Sequence, residues 1–178
     1  MSKEAFVTKE MIEKIVKDYP TPFHIYDEKG IRENAQAVKE AFSWNKGFKE
    51  YFAVKATPNP YLIEILKEYG CGCDCSSKTE LMLSKAVGLE GKDIMFSSNE
   101  TPAEEYAYAA RLGAIINLDD ITHIDFLEGV LGKLPETISC RYNPGGVFTM
   151  SNGIMDNPGD SKYGFTKEQM FEGFRILK

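Results

Sequence analysis

Three residues carry reactive or strongly charged groups where buried structure should end: Lys55, Asp74 and Arg141. Lys55 closes the apolar run Tyr51-Phe52-Ala53-Val54 and is followed at once by Ala56-Thr57-Pro58-Asn59-Pro60. A lysine at the end of a hydrophobic strand has its stem in low dielectric. That disfavours the ammonium form and makes the neutral, nucleophilic amine accessible. Such an amine is suited to forming a Schiff base with a carbonyl compound. Asp74 stands in Cys71-Gly72-Cys73-Asp74-Cys75, and Arg141 ends the run Thr137-Ile138-Ser139-Cys140. A carboxylate can orient or ion-pair the lysine, and a guanidinium can hold a phenolate or phosphate oxygen. The same trio would also serve as an ordinary buried charge network.

The elements that must position these residues alternate. Strands are predicted at Tyr51–Lys55, Cys71–Ser76, Ile94–Ser97, Ala114–Leu118 and Thr137–Tyr142. Helices are predicted between them at Pro60–Tyr69, Thr79–Val87, Pro102–Leu112 and Ile121–Leu131, with Gly70, Gly88 and Gly113 where helices should stop. Upstream lie an amphipathic stretch at Lys9–Lys17, an extended segment Phe23–Tyr26 and a charged helix near Ile31–Ala41. The strand landmarks recur about every 20 to 25 residues with one helix between each pair, which predicts βα units and a parallel sheet. The two outcomes are an open doubly wound sheet and a (β/α)8 TIM-type barrel. No Gly-x-Gly-x-x-Gly follows the first strand, which removes the best support for a dinucleotide fold.

Strand parity then sorts the side chains. Lys55 shares a face with Tyr51 and Ala53; Asp74 with Gly72 and Ser76; Arg141 with Thr137, Ser139 and Asn143. The three alternating cysteines fall on the opposite, helix-covered face. Lys55, Asp74 and Arg141 are therefore expected to point to a common interior near the carboxyl ends of their strands, where barrel enzymes build active sites.

With 43% hydrophobic and 27% charged residues among 178, the balance is that of a globular chain able to bury one ordinary core. The net charge of −6 argues against nucleic acid or an anionic membrane as the main partner. No apolar run approaches the roughly 20 residues that cross a bilayer. The opening Met1-Ser2-Lys3-Glu4-Ala5 does not read as a signal peptide, so a cytoplasmic location is the expectation. The four cysteines, Cys71, Cys73, Cys75 and Cys140, lack metal-ligand spacing and are expected to be buried, reduced thiols. No domain boundary is visible.

Several stretches resemble one family in order. Tyr51-Phe52-Ala53-Val54-Lys55-Ala56 with Asn59 resembles the cofactor-lysine segment of the alanine-racemase-like barrel decarboxylases, which use pyridoxal 5'-phosphate. Cys73 to Leu81, Ile94 to Asn99, Ile116 to Asp119, Arg141 to Gly145 and Ser161-Lys162-Tyr163-Gly164 are similar to later segments, so the resemblance runs from about Thr21 to Phe165. Arg-x-Asn-Pro-Gly followed by Ser-Lys-Tyr-Gly is most similar to the diaminopimelate decarboxylase branch. Asp-Cys-x-Ser-Lys-Thr-Glu also resembles ornithine decarboxylase. The resemblance implies decarboxylation of meso-diaminopimelate to lysine, with ornithine or arginine decarboxylation and a non-catalytic cofactor-binding homologue as alternatives. It implies Lys55 as the catalytic lysine bound to the cofactor, with Asp74, Glu80 and Arg141 as further cofactor-binding residues. Glu80 would equally suit a helix's first turn. Ser161, Lys162 and Gly164 match a motif of structural role. A small amino-acid substrate and a homodimer are implied too.

The chain departs from that family in length. About 250 residues make a complete barrel, so only about the first five βα units are expected. Residues 1–178 would be the amino-terminal part of a cofactor-binding barrel domain, without the family's second, mostly β domain. The ending Phe174-Arg175-Ile176-Leu177-Lys178 falls inside a helical pattern, which predicts a portion of a longer or split enzyme. Catalysis by these residues alone is expected to be absent or very weak. His123, in a helical stretch, is expected at the surface or in a cap rather than against a cofactor ring.

Overall fold

The computed structural model of the protein describes residues 5–146, 159 and 163–178. The chain forms two compact units, Met1–Lys46 and Gly47–Lys178, a division that the sequence does not announce. The first holds α1 (Lys9–Asp18) and α2 (Glu28–Ala41). Thr8 and Asp27 start these helices by accepting the Met11 and Gly30 N–H groups. The Asp27 cap explains why α2 begins a turn before its predicted start. Phe23–Tyr26 lies in no helix or strand.

The second unit alternates strand and helix. Its strands are β1 (Tyr51–Ala53), β2 (Gly72–Cys75), β3 (Ile94–Phe96), β4 (Ile115–Leu118) and β5 (Ile138–Cys140). The helices are α3 (Pro60–Glu68), α4 (Lys78–Ala86), α5 (Ala103–Arg111), α6 (Thr122–Leu131) and α7 (Lys167–Leu177). Asn59 caps α3, with Pro60 in its first turn where the missing N–H costs nothing. Gly70, Gly88 and Gly113 do follow helices, each with positive φ.

All pairs are parallel, and the order is β1-β2-β3-β4-β5. A doubly wound sheet reverses its order at a switch point; this one does not. The sheet is the first part of a barrel. Its covered face is the core: Cys73, Cys75, Ile94, Phe96, Ile116 and Leu118 are fully buried with Leu81, Tyr106, Ala109, Ile124 and Leu127 from the flanking helices. Burying a side chain of the larger kinds contributes roughly 1.5–3 kcal/mol relative to exposure. At the amino ends of the strands Lys49 meets Asp93 at 2.7 Å, and the Tyr51 hydroxyl donates to the Lys92 carbonyl at 2.6 Å. That end is a clasp, which leaves the opposite end for chemistry.

Beyond β5 the chain returns along the sheet edge. Phe165 N–H donates to the Arg141 carbonyl at 2.7 Å, Asn143 N–H to the Phe165 carbonyl at 2.9 Å, and Tyr142 and Phe165 form a parallel bridge. Gly164 turns this corner at φ +94, and a Cβ there would stand 3.0 Å from Asn143 Cβ and 3.2 Å from the Arg141 carbonyl oxygen. This tight approach is the structural role expected for the position. Ser161 and Lys162 lie outside the described residues.

Candidate active site

β1 stops two residues before the predicted end. Its register sets Ala53 beside Asp74, so a longer strand would bring Lys55 beside Ser76. Ser76 N–H is already taken: it donates to Glu80 Oε2 at 2.8 Å, while Ser77 caps α4. With no ladder partner, residues Val54–Ala56 coil into a 3-10 turn that buries Val54 completely and leaves Lys55 exposed. The expectation of a strand lysine in low dielectric is corrected accordingly. Lys55 follows the strand on a turn, and its side chain lies on the open side of the sheet.

The position survives this change. Lys55, Asp74, Ser76, Ser97, Arg141 and Tyr163 line one cavity of about 490 Å3 at the carboxyl ends of the strands. Ligand pockets span roughly 300–1,000 Å3. The Ser97 hydroxyl donates to Asp74 Oδ1. Burial raises the Asp74 carboxyl above the usual aspartate range; the Ser97 hydrogen bond, Lys55 and Arg141 pull it back, and Glu80 pushes it up again. The amine and the guanidinium thus both act on one carboxyl group.

Glu80 does not line the cavity. Its carboxylate accepts from Ser76 N–H at 2.8 Å and from the Ser77 hydroxyl at 3.1 Å, in the first turn of α4. It fixes the exit of β2 at Ser76, two residues past Asp74.

Asp119 closes the similar segment Ile116 to Asp119, and its role emerges only in the fold. It is 3% exposed, and its Oδ1 lies 3.3 Å from Nε of Arg141, whose side chain is 41% exposed. Asn117 Nδ2 donates to the same Oδ1 at 3.1 Å, and the Ser139 hydroxyl donates to Asn117 Oδ1 at 2.9 Å. Burial raises the Asp119 carboxyl, chiefly against the pull of Arg141. The available signal was Asn-x-Asp at the end of an apolar strand, which puts two polar side chains on the inner face. His123 sits on α6, half-buried, with Nδ1 3.4 Å from the Tyr106 hydroxyl; it packs against that buried ring rather than lying free on the surface.

Parallel strands in sequence order, with a lysine, an aspartate and an arginine around a cavity at their carboxyl ends, define a lysine-bearing βα-barrel domain. Residues 28–177 match the pyridoxal-binding domain of the pyridoxal-dependent decarboxylases, and the chain belongs to that family. It is 39% identical over 165 residues to the protein TabA of Pseudomonas amygdali pv. tabaci, covering 93% of this chain and 38% of that protein. Against diaminopimelate decarboxylase of Thermoplasma acidophilum the identity is 29%, covering 92% of this chain and 39% of that protein. The crystal structure of diaminopimelate decarboxylase from Helicobacter pylori complexed with L-lysine superposes with a TM-score of 0.83 at 27% identity, covering 93% of this chain and 42% of that one. The chain therefore spans about two fifths of the length of these relatives.

Pyridoxal phosphate is the family's cofactor, and the cavity suits it. An aldehyde needs a reachable amine, which Lys55 offers, and an anionic ring oxygen needs a fixed cation, which Arg141 offers.

Proposed function

We propose that this chain is the amino-terminal part of a pyridoxal-phosphate-binding barrel domain in a carboxy-lyase that converts meso-diaminopimelate to lysine. Lys55 is the catalytic lysine in this reading, Asp74 and Arg141 complete the cofactor site from this chain, and Glu80 supports that site from outside the cavity. The observation that carries it is the meeting of Lys55, Asp74 and Arg141 around one cavity in a pyridoxal-binding family. The relatives named diaminopimelate decarboxylase, one of them complexed with L-lysine, support the substrate.

When bound, pyridoxal phosphate supplies an electron sink for the bond to the departing carboxylate. The chain's own residues prepare its place. Lys55 stands exposed on the cavity, so an aldehyde reaches its amine without rearrangement of the core. Asp74 lies within electrostatic reach of that amine, and burial raises its carboxyl so that it holds a proton more readily than an exposed aspartate. Glu80 acts from behind, holding the exit of β2 and adding negative charge near Asp74. Arg141 offers N–H donors in a fixed fork to an anionic oxygen. The reading includes a small amino-acid substrate and a cytoplasmic homodimer. Family resemblance supports the dimer, and the net charge of −6 favours a small-molecule partner over nucleic acid.

The test has two parts. Borohydride reduction of the intact protein with pyridoxal phosphate, followed by peptide mass mapping, is expected to leave the pyridoxyl group on Lys55. Its appearance on another lysine overturns the site. Carbon dioxide release is then measured with meso-diaminopimelate, ornithine, arginine and lysine. Release from diaminopimelate alone is expected, and preference for another of the four overturns the substrate.

A further inference from the structure

Arg141 emerges from β5 with 41% of its side chain exposed, beside an aspartate that is almost wholly buried. A long, half-exposed arginine has many rotamers, so an arginine that meets a planar anion in one orientation has to be held. Asp119 holds it by one hydrogen bond, from Nη1 to Oδ2 at 3.4 Å, and by a charge contact of 3.3 Å between Nε and Oδ1. Asp119 is itself locked. Asn117 donates to its carboxylate, and its main-chain carbonyl accepts the Gly164 N–H at 2.8 Å. The next residue, Phe165, bonds back to the carbonyl of Arg141 at 2.7 Å. β4, β5 and the returning segment thus clamp one ion pair from three sides. Asp119 is not among the residues lining the cavity, whereas Arg141 is.

We propose that Asp119 is a positioning residue: it pins the guanidinium of Arg141 so that the N–H groups left free face an anionic oxygen of the bound cofactor. This rests on the reading of Arg141 given above. An arginine carries five N–H donors, and Asp119 takes one of them. The carboxylate acts only through Arg141, so its effect on the cofactor vanishes when Arg141 is gone.

That dependence is the test. Pyridoxal phosphate affinity is measured by titration for the intact protein and for Asp119→Asn, Arg141→Gln and the double variant, with melting temperature recorded for each. Charge-assisted hydrogen bonds of this kind predict a loss of roughly tenfold or more for each single variant. The double variant is expected to be no weaker than Arg141→Gln, and Asp119→Glu to recover part of the loss. A change in melting temperature without a change in affinity overturns the proposal, as do additive losses in the double variant; both leave the reading of Arg141 intact. Unchanged affinity in Arg141→Gln fails that reading and takes the proposal with it. Should Asp119→Asn not fold, Asp119→Glu carries the same cycle. Its extra methylene displaces the guanidinium while keeping the charge, and additivity with Arg141→Gln is again the overturning result.

Discussion

The hydroxyl of Ser97, just past β3, donates to a carboxylate oxygen of Asp74 on β2. The bond crosses between two neighbouring strands and favours the charged form of a carboxyl that burial pushes toward its neutral form. Ser97→Ala removes the donor, so the Asp74 carboxyl is expected to titrate higher still. A carbon-13 NMR titration of labelled aspartate reads this directly, and an unmoved or lowered midpoint contradicts it.

A carboxyl raised in the folded state binds its proton more tightly there than in the unfolded chain. Its share of stability is therefore fully present below the ordinary aspartate value of about 4, and is lost as pH rises through the raised folded value. Asp74→Asn abolishes this titration while keeping an acceptor for Ser97. The melting temperature of the variant minus that of the parent is expected to be more positive at neutral pH than in acid. A difference that is flat or runs the other way would show that Asp74 is not raised.

Gly164→Ala places a methyl group 3.0 Å from Asn143 Cβ, at a residue with φ +94. Strain of this kind costs about 1–3 kcal/mol. The urea midpoint is expected to fall with an unchanged slope. A midpoint equal to the parent's would mean that the corner relaxes freely.

The cysteines divide into two pairs. Cys73 and Cys75 are wholly buried, and burial drives the Cys75 thiol up to about 12 despite its contact with the Ser84 hydroxyl. Cys71 and Cys140 are only half-buried, short of the burial expected for all four. The thiolate is the species that reacts. Iodoacetamide at neutral pH is expected to modify Cys71 and Cys140 first, and to reach Cys73 and Cys75 only on unfolding. Peptide mapping over time checks the order.

For Glu80, two substitutions separate its roles. Glu80→Ala removes the acceptor of both the Ser76 N–H and the Ser77 hydroxyl, at a cost of about 1 kcal/mol by comparison with lost helix caps. Glu80→Gln keeps a carbonyl oxygen and should lose less. Denaturant unfolding of both variants reads the difference, and equal stabilities would show that the carboxylate does not hold the exit of β2.

The sheet was legible because its signals are local. Cys73 and Cys75 alternate with Asp74, and helices stop at Gly70, Gly88 and Gly113, so strand faces and spacing could be read from neighbours along the chain. The exposed setting of Lys55 is not legible for a non-local reason: whether β1 continues depends on Ser76, which is bonded to Glu80 instead of offering a ladder. Asp119 is not legible in sequence because its meaning comes from Arg141, 22 positions away and across a strand pair. Nothing in Ile-Asn-Leu-Asp alone announces that partner. The two-unit division is likewise a property of packing, not of composition.

In the unbroken neighbour order of the strands, Lys55, Asp74, Ser97, Asp119 and Arg141 each arrive on a separate strand exit. The rim is therefore assembled from strand exits that lean on one another, Ser97 on Asp74 and Arg141 on Asp119. Grafting one segment from a relative would also loosen the neighbour bonded to it, so exchanges that keep the rim intact have to carry both partners of a bonded pair.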